Sequence, residues 1–551
     1  MVIILHLLFG EFFSSNSTLI LILVHSALLT NHLNALNVHI MIPYRSAALS
    51  VIITFLIFLP DINAQDLSKE KMDELSHSHL QEAIIELRDM LSVPNIGTNP
   101  EHVAANVEWM DNAFSARNFD ISILETGGPP LLLAQNHFDD SLPTVLFYMH
   151  ADGQPVDASQ WTQPDPFDPV LRKMDENGSW EIIDWSHIEG EIDPEWRIFA
   201  RSASDDKGPI AMLLKAIDIL DEENIEPAYN VKVVLDFEEE IGSPHLPDAV
   251  EVYRDELMAD HMVILDGPRH PTNLPTISFG ARGIQTMTLT VFGPVNPQHS
   301  GHYGNYTPNP AFRLAQVLAT MKDDHGRVTI PGYYDGIELD DETLEILRAV
   351  PDDEEAIKQN MKVAGQDSVA AFLQAARQYP SLNIRGMRSG WVGEDVRTII
   401  PSEAVAEIDI RLVRESDPQR LIDLVKSHIQ SQGFHIVDRD PTDEERLAHD
   451  KLMKVTENFM YEAYRTDINS PTGLWLKNAL NRAFEEEPVL IRTSGGSVPI
   501  SPFVTTLGVP AVGVPTVNND NNQHSPDENL RIGNFQEGIK TVLSILTTPI
   551  D

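Results

Sequence analysis

Apolar residues recur at helical spacing over residues 71–93, where Leu75, Leu80, Ile84, Ile85, Leu87 and Leu91 share one face, and that spacing predicts a helix. Further along, short apolar runs stop abruptly at polar residues. Residues 144–149 (TVLFYM) run into His150, residues 231–237 (VKVVLDF) into the acids 238–240, and residues 262–265 into Asp266. Runs this short, apolar at successive positions, read as buried strands. Residues 198–203 lead into Asp205-Asp206-Lys207-Gly208, after which residues 209–220 return to helical spacing. Strands alternating with helices predict an α/β fold, and in such sheets sites form beyond the carboxyl ends of the strands.

The texture changes near Arg282. Residues 285–292 (QTMTLTVF) and 404–413 (AVAEIDIRLV) alternate apolar and polar, as half-exposed strands do. Between them lie a loop at 301–310, a helix at 311–321 and an acidic helical stretch at 340–374. A helix at 418–431 and a strand at 434–437 follow. This set predicts a smaller α/β domain inserted into the first. The chain then returns to the main sheet with a helix at 473–484 and strands at 489–492 and 511–514. The expected divisions are a leader at 1–64, a first part of the main domain at 65–282, the insertion at 283–440, and a second part at 441–551.

Composition narrows the chemistry. Of 551 residues, 83 are acidic and 39 basic, a formal net charge of −44. That balance argues against a nucleic-acid partner, which needs cations to neutralise phosphates, and against docking on anionic lipid. There is no cysteine, which excludes thiolate metal sites, a cysteine nucleophile and a disulfide scaffold. Residues 1–64 carry one basic residue, Arg45, and two acids, so the acidity belongs to the body. From Met41 the chain reads MIPYR, a mostly apolar run over 47–59, then Pro60 and Ile62-Asn63-Ala64. A short basic start, an apolar centre and a small-residue end predict a cleavable secretory signal, with Met41 the working start and export the expected fate. Membrane anchoring through this leader is the alternative.

The strand ends supply the candidate chemistry. His150 and Asp152 are two residues apart, and a metal-bound imidazole is usually oriented by an acceptor on its other nitrogen. Asp205 precedes a helix start, Glu239 and Glu240 follow a strand, Asp266 ends another, and His524 sits in a polar loop. Singly these residues have ordinary explanations: helix caps, solvated acids, a surface histidine. Together they form an imidazole and carboxylate set that divalent zinc accepts when no thiolate is present.

The segments HADGQPVDASQW, SASDDKGPIAM, FEEEIGS, ILDG, QHSGHYG, VRTIIPSEA, IDIRLV, TSGGSVP and NNQHSPDENL occur in this order. The chain thereby resembles the dizinc family of carnosinases, glutamate carboxypeptidases and aminoacylases, peptidase family M twenty. The resemblance covers roughly residues 70–551. It implies a zinc-peptidase catalytic domain, a mixed sheet flanked by helices, with an inserted ferredoxin-like dimerisation or lid domain. It implies two Zn2+ per subunit, with Mn2+ or Co2+ as substitutes. His150 and Asp266 would hold one, Glu240 and His524 the other, and Asp205 both, with a cis peptide at Asp205–Asp206. Glu239 matches the general base and Asp152 the acid supporting His150. His299 matches a histidine that reaches across a homodimer to the reacting oxygen. Arg411, Gly495, Gly496 and Ser497 match positions that hold a substrate carboxylate, and Thr398 a further substrate contact.

The implied activity is hydrolysis of small peptides with a free carboxylate, as a dipeptidase or carboxypeptidase. Deacylation of N-acyl amino acids is the alternative, and a catalytically inactive binding module on the same fold a third reading. The complete set of six metal-site residues speaks against the last. Phe237 and Glu238, the long segment 167–196 and the stretch 340–374 depart from the family pattern and are expected to reshape the pocket.

Overall fold

The computed structural model describes residues 67–550. The expected leader at 1–64 and its cleavage site lie outside the described residues.

The main sheet has eight strands in the spatial order Asp120–Leu124, Leu131–Asn136, Asn230–Asp236, Thr144–His150, His261–Ile264, Ala511–Gly513, Thr276–Ser278 and Val489–Ile491. The first two pairings are antiparallel. The next three, from Asn230–Asp236 through Ala511–Gly513, are parallel. These central strands are almost wholly buried because helices cover both faces, as a parallel core requires. On one side pack Leu80–Leu91, Lys207–Glu223, Pro471–Ala483 and Ile532–Thr547, burying Ile84, Leu87, Leu213, Leu214, Leu476 and Leu543. On the other, Leu246–Val252 and Ser501–Thr505 bury Leu246, Val250 and Phe503.

The helix expected over 71–93 is two, Lys69–Ser78 and Leu80–Leu91. They part at His79, whose ring Nδ1 lies 2.8 Å from the Leu75 carbonyl oxygen, a local bond that competes with helix continuation. The acidic stretch at 340–374 is likewise three short helices, Asp341–Arg348, Glu354–Met361 and Leu373–Ala376. Pro351 interrupts the first gap, and the side chains of Asp340 and Asp353 cap the first two helices.

A five-stranded sheet runs in the order Asn383–Arg388, Glu403–Leu412, Gly283–Phe292, Leu452–Tyr461 and His435–Val437. Helices Pro310–Ala319 and Pro418–Ser431 bury Leu314, Val317, Leu421 and Val425 against one face of it. The expected end of the insertion at residue 440 falls inside this sheet. Leu452–Tyr461 pairs antiparallel along the length of Gly283–Phe292, so the sheet reaches residue 461. The run 452–461 (LMKVTENFMY) hides this from the sequence, because Thr456, Glu457 and Asn458 interrupt its apolar residues and residues 456–459 are exposed, Phe459 included.

The long segment 167–196 forms two strands, Val170–Met174 and Trp180–Ile183. With Arg197–Phe199 and the late strand Asn529–Arg531 they make a four-stranded antiparallel sheet. The pairing of Asn529 with Phe199 joins two parts of the chain more than 300 residues apart. It sets the loop before Asn529 beside the turn after Phe199. Among the described residues no helix is long and apolar enough to cross a membrane.

Candidate metal centre

The register of the central strands decides the arrangement. His150 pairs with Asp236, and Tyr148 pairs with Ile264, which puts Asp266 level with His150 just past the strand end. Glu239 and Glu240 open a single helical turn after the neighbouring strand. Four side chains thus meet at the carboxyl ends of the sheet because three adjacent parallel strands end there together.

Asp205 and His524 come from the small sheet. The main-chain turn 202–205 is held by Glu528, which is fully buried. One Glu528 oxygen accepts from the Ser204 and Asp205 main-chain N–H groups, each at 3.1 Å. The other accepts from Ser202 N–H at 3.1 Å and from Arg201 Nη1 at 2.6 Å. A carboxylate four residues after His524 therefore fixes the turn that carries Asp205. Its signal in the sequence was only an acid inside NNQHSPDENL. Glu528→Gln leaves Arg201 buried without its counter-charge and is expected to destabilise the fold by roughly 3 kcal/mol. Chemical denaturation checks the loss, and metal analysis should show weaker retention.

His150 Nε2 lies 2.9 Å from Asp205 Oδ1, while its Nδ1 faces Asp152 at 3.4 Å. His524 Nε2 lies 3.0 Å from Asp205 Oδ2 and 3.1 Å from Glu240 Oε2. Two ligand groups result, His150 with Asp205 and Asp266, and Asp205 with Glu240 and His524. Within each, donor atoms lie within 4.8 Å of one another. Asp205 is common to both. The Asp205–Asp206 peptide is cis.

Asp152 does more than face His150. Its two oxygens accept from the main-chain N–H groups of Glu239 and Glu240, each at 3.2 Å. One buried carboxylate thus orients the imidazole and the turn that bears two more site residues. Gly153 follows it because a Cβ there would meet Ser202 Oγ at 2.4 Å.

The charges are unbalanced without cations. Burial, and then Asp266, Asp205 and Glu240 against the pull of His150, push the Glu239 carboxyl well above its ordinary value. Burial and Asp205 push Asp266 up to about 6. Burial also acts on Asp205, but the hydrogen bonds from His150 and His524 prevail and hold it low. The same bonds to Asp205 and Glu240 lift His524 to about 10. Glu240 Oε1 is buried with no hydrogen-bond partner. Crowded carboxylates, an orphaned buried oxygen and imidazole nitrogens aimed inward fit a pair of divalent cations.

The residues expected to hold a substrate carboxylate come together near this centre, where 495–497 and Asp266 line one cavity. Arg411 Nη1 donates to Ser497 Oγ at 2.7 Å, which joins the strand Glu403–Leu412 to the loop Gly495-Gly496-Ser497. Three residues not singled out by the sequence stand with them. Tyr461 bonds to Ser497, and burial and the charge of Glu239 push its hydroxyl up to about 12. The Arg282 main-chain N–H donates to Gly496 O, and burial with Arg411 and Arg377 lowers its guanidinium to about 10. Gln154 Nε2 donates to Glu240 Oε2 at 2.9 Å. Tyr461 and Arg282 lie in segments that give no motif, and Gln154, inside HADGQPVDASQW, gives no sign there of its contact with Glu240, so only folding reveals them.

His299 and Thr398 are not brought to the cluster within this chain. His299 is exposed on the two-residue strand Gln298–His299, which pairs with Ile399–Ile400, and its Nδ1 accepts from Gly301 N–H. The carbonyl of Thr398 accepts from Ser300 N–H.

Residues 146–548 match the model of Peptidase family M20/M25/M40. The chain is similar to the Cys-Gly metallodipeptidase dug1 of Schizosaccharomyces pombe, 25% identical over 86% of this chain and 97% of that one. It is also similar to the Beta-Ala-His dipeptidase of Homo sapiens, 26% identical over 75% of this chain and 76% of the relative. Among solved structures, an M20 family metallo-carboxypeptidase, Sso-CP2 from Sulfolobus solfataricus, is 27% identical with a TM-score of 0.70, covering 85% of this chain and 99% of that one. The di-peptidase Dug1p from Saccharomyces cerevisiae shares the fold with a TM-score of 0.69 at 22% identity, covering 88% and 98%.

Proposed function

The chain belongs to peptidase family M20/M25/M40, and on that premise we propose that it is a metal-dependent dipeptidase acting at the His150–His524 cluster. The observation that carries this reading is the pair of ligand groups sharing Asp205, with Glu239 beside them. Two divalent cations, zinc by the donor chemistry, would be held by His150, Asp205, Asp266, Glu240 and His524, and would polarise the scissile carbonyl and acidify water.

The remaining steps belong to the chain's own groups. Glu239 takes a proton from the attacking water and hands it to the departing amine. Asp152 keeps the His150 ring and the 239–240 turn in register. Arg411 and Ser497 hold the substrate's free carboxylate, with Gly495 and Gly496 offering main-chain donors, and guanidinium suits this because it engages carboxylates bidentately. Arg411→Met is expected to raise KM by roughly ten- to a hundredfold with a smaller change in kcat, read from steady-state kinetics.

His299 and Thr398 serve the site of a partner subunit in a homodimer, with His299 donating to the oxygen that develops charge. The exposed side chains Tyr303, Tyr306, Phe312, Trp391 and Val392 lie close to them in the chain and support an association surface. Export through the signal at 41–64 completes the proposal, and the amino-terminal sequence of the mature protein tests it.

The deciding experiment assays dipeptides, longer peptides and N-acyl amino acids with added zinc or manganese, before and after chelation. Dipeptide cleavage abolished by chelator is expected. Turnover that survives complete metal removal overturns the reading, and cleavage of N-acyl amino acids alone makes the enzyme a deacylase.

A further inference from the structure

A cavity of about 320 Å³ opens beside the metal centre. Asp266 and Gln523 line it, and Gln523 Nε2 donates to Asp205 Oδ2 at 3.2 Å. The loop 494–498, Arg377 and apolar side chains such as Ile264, Leu373 and Tyr464 form its other walls. Arg377 follows the short helix Leu373–Ala376, at the end of the acidic stretch that departs from the family pattern. Its guanidinium lies over Gly495, where a Cβ would meet Nε at 3.4 Å and Nη2 at 3.7 Å.

This guanidinium is half-buried, yet among the described residues it makes no hydrogen bond or ion pair. Asp352 attracts it from beyond ion-pair reach and is already engaged, accepting from His270 Nε2 at 3.2 Å and Gln374 Nε2 at 2.8 Å. The neighbouring cations are little better matched. Arg282 donates to the Tyr379 carbonyl and leaves Nε buried without a partner. Arg411 has Asp409 only at 3.9 Å. Arg377 and Arg411 therefore stand at the loop Gly495-Gly496-Ser497 with Arg282 near them, and their neighbouring carboxylates, Asp352 and Asp409, lie beyond hydrogen-bond distance. One substrate carboxylate on Arg411 and Ser497 accounts for one of the three. An unpaired cation in a largely apolar pocket implies that an anion arrives with the ligand, since charge-assisted bonds strengthen where water is excluded.

We propose that Arg377 is a specificity-determining residue that receives the side-chain carboxylate of an Asp or Glu at the carboxyl-terminal position of a dipeptide. This rests on the dipeptidase reading above, with the α-carboxylate on Arg411 and Ser497. Gly495 and Ser497 are two residues apart, so their Cα atoms lie within about 7 Å and Arg377 and Arg411 stand at neighbouring positions of one loop. The two carboxylates of one acidic residue can reach both.

The test compares kcat/KM for Ala-Glu and Ala-Gln, and for Glu-Ala and Gln-Ala, in the wild type, Arg377→Met and Arg377→Lys. The wild type is expected to favour Ala-Glu over Ala-Gln by about tenfold or more, the usual worth of a charge-assisted bond. Glu-Ala and Gln-Ala should differ little. The ratio should collapse towards unity in Arg377→Met and survive in part in Arg377→Lys, which keeps a cation. A ratio is insensitive to a general loss of folded enzyme. A wild-type ratio near unity overturns the proposal, as does a ratio that Arg377→Met leaves intact. A preference confined to Glu-Ala overturns the placement. If none of the four dipeptides is cleaved with metal supplied, the dipeptidase reading itself fails.

Discussion

Glu239→Gln is expected to lower kcat by about a thousandfold while metal content stays at the wild-type level. The substitution keeps the shape of the side chain and removes only its capacity to accept and return a proton, and general acid–base catalysis is commonly worth 10²–10⁴-fold. The site surrounds Glu239 with Asp205, Asp266 and Glu240, whose repulsion, added to burial, already favours the neutral form. Taking that charge away should not weaken cation binding through lost donors, because neither ligand group contains Glu239. Steady-state kinetics with metal analysis on the same preparation checks both halves. A near-normal kcat would remove Glu239 as the base, and a loss of metal would make it a ligand.

Asp205→Ala is expected to abolish activity at least as fully and to strip the centre of metal. Asp205 is the one residue in both ligand groups, with separate oxygens turned to His150 and His524. Its removal leaves each group two donors, too few for a stable site of this kind. It also removes the anion that holds both imidazoles in place. Elemental analysis after gel filtration should find sub-stoichiometric metal, and circular dichroism should find the fold retained, because Glu528 holds the 202–205 turn through main-chain groups. Full metal content in this variant would refute the shared-ligand arrangement.

The two variants separate the proton from the cations. Loss of turnover with metal in place points to Glu239, and loss of both together points to Asp205.

Much of this site was legible because parallel strands report their own ends. A buried strand is an unbroken apolar run, and its last residue is where polarity returns. His150, Glu239, Glu240 and Asp266 announce themselves this way, and the sheet needs only to set neighbouring strands in register. The insertion was legible from a change of pattern, from continuous apolar runs to alternation near Arg282. Its end was not, because Thr456, Glu457 and Asn458 break the apolar pattern of the strand Leu452–Tyr461 and residues 456–459 are exposed.

The amino-acid order by itself determined the fold class, the donor set without thiolates, and the strand ends on which three of the site's acids and one imidazole sit. Those follow from local patterns of burial and from composition. Only the tertiary structure decided how His524 reaches Asp205, through the pairing of Asn529 with Phe199 and the buried Glu528. Only it set Tyr461, Arg282 and Arg377 around the loop 495–497. Those residues come from segments far apart in the chain, each ordinary in its own neighbourhood. Their shared surroundings arise from packing, and packing leaves no periodicity in a sequence.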